Sequence, residues 1–154
     1  MSFIRANSKS SEPAPVPFSR LTSSASQPTI LVVEDHDDTR EMLCIFLTGL
    51  GFRVVEACDG LEAVEAASRE RPQVILMDGR LPLLDGLEAT RRIRQNTLLD
   101  DVKILALNGS GSARYHAEAL AAGCDDSIEK PFVIERLQTY VINASIMSAR
   151  AGQA

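Results

Sequence analysis

The stretch Val74-Ile75-Leu76-Met77-Asp78-Gly79-Arg80-Leu81-Pro82 decides how this chain is read. Four consecutive apolar residues bounded by turn signals suit a strand buried on both faces. The run ends in a carboxylate, and glycine and proline then turn the chain away. Upstream, Ile30-Leu31-Val32-Val33 ends in Glu34-Asp35, and downstream a third short run ends at Lys130-Pro131. Parallel strands bring these ends into one pocket. Two carboxylates about 4 Å apart repel by about 4 kcal/mol at an effective dielectric near 20. Such a cluster requires a cation or a retained proton, which points to a divalent-metal site with one carboxylate free to act on a phosphoryl group.

The surrounding pattern extends the same architecture. Strands are expected over 29–34, 53–58, 73–78, 103–108 and 126–129. Asp37 or Asp38 can cap a helix that carries Leu43, Leu47 and Leu50 inward and stops at Gly51. Gly60–Glu70 buries Ala63, Val64 and Ala67 at helical spacing, and Asp85-Gly86 opens a helix with Leu87, Thr90 and Ile93 inward. Ala113–Ala122 ends at Gly123, and a last helix after Pro131 buries Ile134, Leu137 and Val141. Five strands alternating with five helices predict an α/β fold, a doubly wound parallel sheet covered on both faces. Ligands of such sheets bind outside the carboxyl ends of the strands. Glu34, Asp35, Asp78, Asn108 and Lys130 all fall at those ends.

Bulk properties narrow the function classes. The 154 residues are 45% hydrophobic and 24% charged, enough for one domain with a full core. No apolar run approaches the roughly 20 residues of a membrane span. The net charge is −5, with the acid concentrated after residue 28, which disfavours a nucleic-acid surface. Residues 1–28 are rich in Ser, Pro and Ala and read as a disordered N-terminal extension, without the apolar core of a secretory signal. The folded domain is expected over 29–143, and 144–154 as a flexible C-terminal tail too short for a DNA-binding output domain. Cys44, Cys58 and Cys124 are odd in number and widely spaced, so they read as reduced core thiols in a cytoplasmic protein.

ILVVEDHDD, ILMDGRLPLLDG, ILALNG and GCDDSIEKPF, in this order and spacing, resemble the receiver domain of bacterial two-component response regulators. The resemblance covers about residues 29–142. It implies a flavodoxin-like sheet of order 2-1-3-4-5 and an Mg²⁺-dependent phosphoacceptor rather than an enzyme with turnover on a separate substrate. Carried over residue by residue, Asp78 is the phosphoacceptor, and Glu34, Asp35, Asp78 and the backbone carbonyl of Arg80 hold Mg²⁺. Lys130 pairs with the phosphoryl oxygens, and Pro131 after it is expected to be cis. The implied donors are a histidine kinase or a histidine phosphotransfer protein.

Two positions depart from the family pattern. Asn108 stands where receivers usually carry a Thr or Ser that bonds the phosphoryl group, and Ser127 where they usually carry a Tyr or Phe ring. Phosphate acceptance at Asp78 with an altered readout is the expectation. Arg80 and Ser110, two residues past Asp78 and Asn108, influence phosphoryl lifetime in the family. His36 and His116 read as surface residues without a role in the chemistry. Val133, Tyr140, Ile142, Ile146 and Met147 lie outside the core stripe of the last helix and suggest a homodimer through the fourth helix, fifth strand and fifth helix. The alternative is a pseudo-receiver, a binding module that does not switch by phosphorylation. An aspartate-nucleophile phosphatase would need an acid where Arg80 stands, and a flavin site a phosphate loop where EDHDD stands.

Overall fold

The computed structural model describes residues 27–109 and 112–153. Ser110 and nearly all of the expected N-terminal extension lie outside them. Five strands, β1 (Thr29–Val33), β2 (Arg53–Ala57), β3 (Val74–Asp78), β4 (Lys103–Asn108) and β5 (Asp126–Glu129), form one sheet in the order β2-β1-β3-β4-β5. Every pairing is parallel. The crossovers are α1 (Asp37–Gly49), α2 (Gly60–Glu70), α3 (Gly86–Arg94) and α4 (Ala113–Ala122), and α5 (Ile134–Gln153) closes the fold. This is the expected doubly wound, flavodoxin-like arrangement.

The alternation of strand side chains divides the core into two layers. Leu31, Val33, Ile75, Met77, Ile104 and Ala106 face α2, α3 and α4. Ile30, Val32, Val74, Leu76, Leu105 and Leu107 face α1 and α5 through Leu43, Leu47, Leu137 and Val141. β1 and β3 are buried along their whole length, which is why their sequences read as unbroken apolar runs. β2 lies at an edge and is only partly covered, with Arg53 and Glu56 exposed and Ala57 buried. Gly51 and Gly123 sit just past helix ends with φ of 103° and 117°, as a left-handed helix stop requires.

Three local expectations need correction. The N-cap of α1 is His36, whose carbonyl accepts the Arg40 N–H at 2.9 Å and whose side chain makes no cap bond. Asp37 and Asp38 lie in the first turn, where their charge complements the helix dipole. The expected flexible tail from 144 is helix instead: α5 continues to Gln153. Leu137, Val141, Ala144 and Ser148 recur at helical spacing and are buried, and the Ser148 hydroxyl bonds the Asp101 carbonyl at 3.1 Å. Of the cysteines, Cys124 is buried and Cys44 half-buried, but Cys58 is exposed at the end of β2, and all three are free thiols.

A chain stopped after Asn143 therefore loses part of the α1–α5 core layer. Its urea midpoint is expected to fall at unchanged m-value, and an unchanged midpoint would show that the last turns of α5 contribute nothing to the fold.

Candidate functional site

Register builds the pocket. Val33 pairs with Met77, so the next residues, Glu34 and Asp78, emerge side by side at the carboxyl edge of the sheet. Asp78 lies opposite Leu107, and Asn108 opposite Glu129, which places Lys130 just beyond. The Lys130 N–H bonds the Asn108 carbonyl at 2.8 Å, and the Lys130–Pro131 peptide is cis, as expected. All four central side chains thus come from adjacent strand ends.

Charge is unevenly shared among them. Glu34 is fully buried; its Oε1 accepts a hydrogen bond from Lys130 Nζ at 2.8 Å and its Oε2 one from the His36 backbone N–H at 3.2 Å. His36 Nδ1 lies 3.1 Å from the same Oε2. Burial pushes Glu34 up, but the bonds from Lys130 and His36 outweigh it and hold the carboxyl below its ordinary value. Asp78 receives less. Lys130 Nζ is 3.5 Å from its Oδ2, and the Arg80 backbone N–H bonds Oδ1 at 3.2 Å. Burial first, and the neighbouring Glu34 charge second, push Asp78 up to about 6. Lys130 is raised despite its burial, because two carboxylates face its one ammonium.

The donor set fits a hard divalent cation. Ligand atoms of Glu34, Asp35, His36 and Asp78 lie within 4.8 Å of one another. Glu34 has both oxygens engaged, whereas Asp35 is exposed and Asp78, raised by burial and then by the Glu34 charge, has Lys130 only at 3.5 Å. Asp35 and Asp78 are thus the carboxylates best able to ligate a metal directly. Oxygen ligands of this kind suit Mg²⁺. His36, expected at the surface, is 76% exposed but is tied to the acidic pair, and the Glu34 hydrogen bond and then the Asp35 charge raise its pKa.

A cavity of about 350 Å³ opens over these groups, lined by Asp35, Asp78, Gly79, Arg80, Asn108, Tyr115 and Lys130 among others. Two close approaches shape its floor. A side chain on Gly86 would collide with the Asp78 carbonyl, so only glycine lets α3 start against the end of β3. A side chain on Gly79 would collide with the Tyr115 hydroxyl. Asp85 caps α3 by accepting from the Leu87 and Glu88 N–H groups, in line with the expected helix start and without chemistry of its own.

The fourth-helix side of the site differs from the sequence reading. His116 is half-buried, not a plain surface residue: its Nδ1 lies 2.6 Å from Ser127 Oγ. At Ser127, where the family usually carries a ring, a second cavity of about 350 Å³ opens, lined by Asn108, Ser112, His116, Ser127 and Arg136 among others. Tyr115 was not singled out from the sequence at all, since a lone tyrosine on an alanine-rich helix carries no signal. The pairing of a glycine directly after Asp78 with a large polar ring on α4 is the signal that could have found it.

The family model for the response regulator receiver domain matches residues 30–142. The response regulator MprA of Mycobacterium leprae is 41% identical over 108 residues, which cover 70% of this chain and 46% of that protein. The chain therefore spans about half the length of the curated relatives it matches. The receiver domain of the sensor histidine kinase PA1611 from Pseudomonas aeruginosa, solved with magnesium in its active-site cleft, is 38% identical with a TM-score of 0.72. That match covers 78% of this chain and 98% of the solved one. A co-crystal of the Saccharomyces cerevisiae histidine phosphotransfer signaling protein Ypd1 with the receiver domain of Ssk1 matches at 29% identity and a TM-score of 0.75, over 80% of this chain and 92% of that one. The chain belongs to the response regulator receiver domain family of two-component signalling.

Proposed function

We propose that Asp78 accepts a phosphoryl group from a phosphohistidine of a histidine kinase or a histidine phosphotransfer protein, and that the phosphorylated chain signals by protein contact. The placement of Asp78, buried at the end of β3 beside Glu34, sharing Lys130 with it and opening on the cavity, is the observation that carries this reading. A carboxylate oxygen of Asp78 forms the new O–P bond as the P–N bond to the donor imidazole breaks and its electron pair returns to the nitrogen. Asp35, Asp78 and the Arg80 carbonyl, with Glu34 alongside, would hold Mg²⁺, which would supply charge neutralisation for the transferred group. Lys130 holds a phosphoryl oxygen, and Asn108 lines the side of the cavity facing β4. The magnesium-loaded PA1611 receiver and the Ypd1 complex support the cation and the donor class.

A cytoplasmic location is part of the reading. Among the described residues no helix is long and apolar enough to cross a membrane, and the acidic charge gives no footing for nucleic acid. Self-association through α4, β5 and α5 rests on exposed Leu120, Val133 and Met147. Tyr140, Ile142 and Ile146 are half-buried and contribute less to such a face than the sequence pattern suggested.

Incubation with Mg²⁺ and a small phosphodonor is expected to add one phosphate by intact mass, with none added in Asp78→Asn or in excess chelator. Addition to Asp78→Asn would place the acceptor elsewhere, and no addition to the native chain would favour the pseudo-receiver.

The charge imbalance also predicts a pH dependence in metal-free buffer. Asp78 holds its proton to about 6 when folded and to 3.8 when free, so the native state binds more protons between those values. Stability from this group falls as pH rises through that window and stays low above it. Asp78→Asn is therefore expected to be more stable than the native chain at pH 8 by on the order of 2 kcal/mol, with the gap closing toward pH 4. A gap that is constant across this range in paired urea melts would refute the account.

A further inference from the structure

Tyr115 carries a polar atom that the fold leaves without a task. Its hydroxyl is buried and has no hydrogen-bond partner among the described residues. Such a group costs free energy, since a phenol that leaves water normally finds a partner. The same side chain lines the cavity over Asp78, together with Arg80, Asn108 and Lys130. It reaches that place because the residue after Asp78 is glycine; any side chain on Gly79 would collide with the hydroxyl and the ring. Burial, followed by the charges of nearby groups including Asp78, pushes the phenol up to about 12, so it is a proton donor at any working pH. A donor kept protonated, buried and unpaired beside a carboxylate lacks one thing, an anionic acceptor.

Resting on the assignment of Asp78 as phosphoacceptor, we propose that the Tyr115 hydroxyl donates a hydrogen bond to the phosphoryl group carried by Asp78. Lys130, with a cation held by Asp35 and Asp78, would neutralise the phosphoryl group, and Tyr115 supplies a neutral donor from α4, on the opposite side of the cavity from α1. The side-chain-free face of Gly79 leaves the phenol room to slide toward the incoming oxygen. The contact ties the state of Asp78 to the position of α4. His116 follows Tyr115 on that helix and is bonded to Ser127 of β5. A shift of Tyr115 therefore bears on the α4–β5 face directly.

Tyr115→Phe removes the hydroxyl and keeps the ring. With Mg²⁺ present, the full chain and this variant are titrated with beryllofluoride, a tetrahedral phosphoryl mimic, and phosphorylation of both is followed by intact mass. The variant is expected to bind the mimic about tenfold more weakly, the effect of one charge-assisted hydrogen bond. The chain holds two tyrosines and no tryptophan, so Tyr140→Phe leaves Tyr115 as the one emitting ring. Its emission is expected to change on saturation with beryllofluoride. Equal affinities in native chain and Tyr115→Phe, or unchanged Tyr115 emission at saturation, would overturn the contact while leaving Asp78 as acceptor. A native chain that neither gains phosphate nor binds the mimic would overturn both readings.

Discussion

One lysine shared between two buried carboxylates sets the character of this molecule. Lys130 satisfies Glu34 at 2.8 Å and reaches Asp78 only at 3.5 Å, so one negative charge at the carboxyl edge of the sheet is left poorly compensated. In a buried site the deficit is not screened by solvent as it would be at the surface. The fold bears it because β1, β3 and the end of β5 are fixed by two apolar layers that do not depend on the pocket. A cation or a bound proton would remove the deficit, which is the condition the proposed phosphoacceptor role calls for.

The neighbouring groups have distinct tasks under this constraint. Glu34 is bound on both oxygens and acts as the fixed partner that orients Lys130. Asp35 and Asp78 line the open cavity, so under the proposed function direct ligation of a cation falls to them. His36 is tied to the acidic pair, with Nδ1 3.1 Å from Glu34 and 3.4 Å from Asp35, and lines the same cavity. Gly79 and Gly86 let α3 and the Tyr115 ring approach the end of β3 more closely than any other residue type would allow.

Much of this was legible in the sequence, for identifiable reasons. Buried parallel strands must be apolar on both faces, so Ile30–Val33 and Val74–Met77 declared themselves, and the carboxylates that end them marked the site. Helix limits at Gly60, Asp85 and Gly123 followed from capping chemistry that acts over a few residues. The extension of α5 was missed because Ala144, Ser145 and Ser148 are small or polar, and their burial depends on packing such as the loop before β4, whose Asp101 carbonyl takes the Ser148 hydroxyl. Tyr115 and the His116–Ser127 bond were invisible for the same reason: each joins residues whose proximity only the packed fold creates. Asn108 and Ser127 were recognised as departures, but the ring that approaches the site from α4 instead was not.

The uncompensated carboxylate can be observed directly. With aspartate side chains labelled with ¹³C, the carboxyl resonance of Asp78, identified by its loss in Asp78→Asn, is followed against pH with and without Mg²⁺. It is predicted to titrate near 6 without metal, and Mg²⁺ is predicted to carry the midpoint well down into the ordinary aspartate range or below. A midpoint near 4 that ignores Mg²⁺ would contradict the claim that Asp78 is held in reserve for a cation and a phosphoryl group.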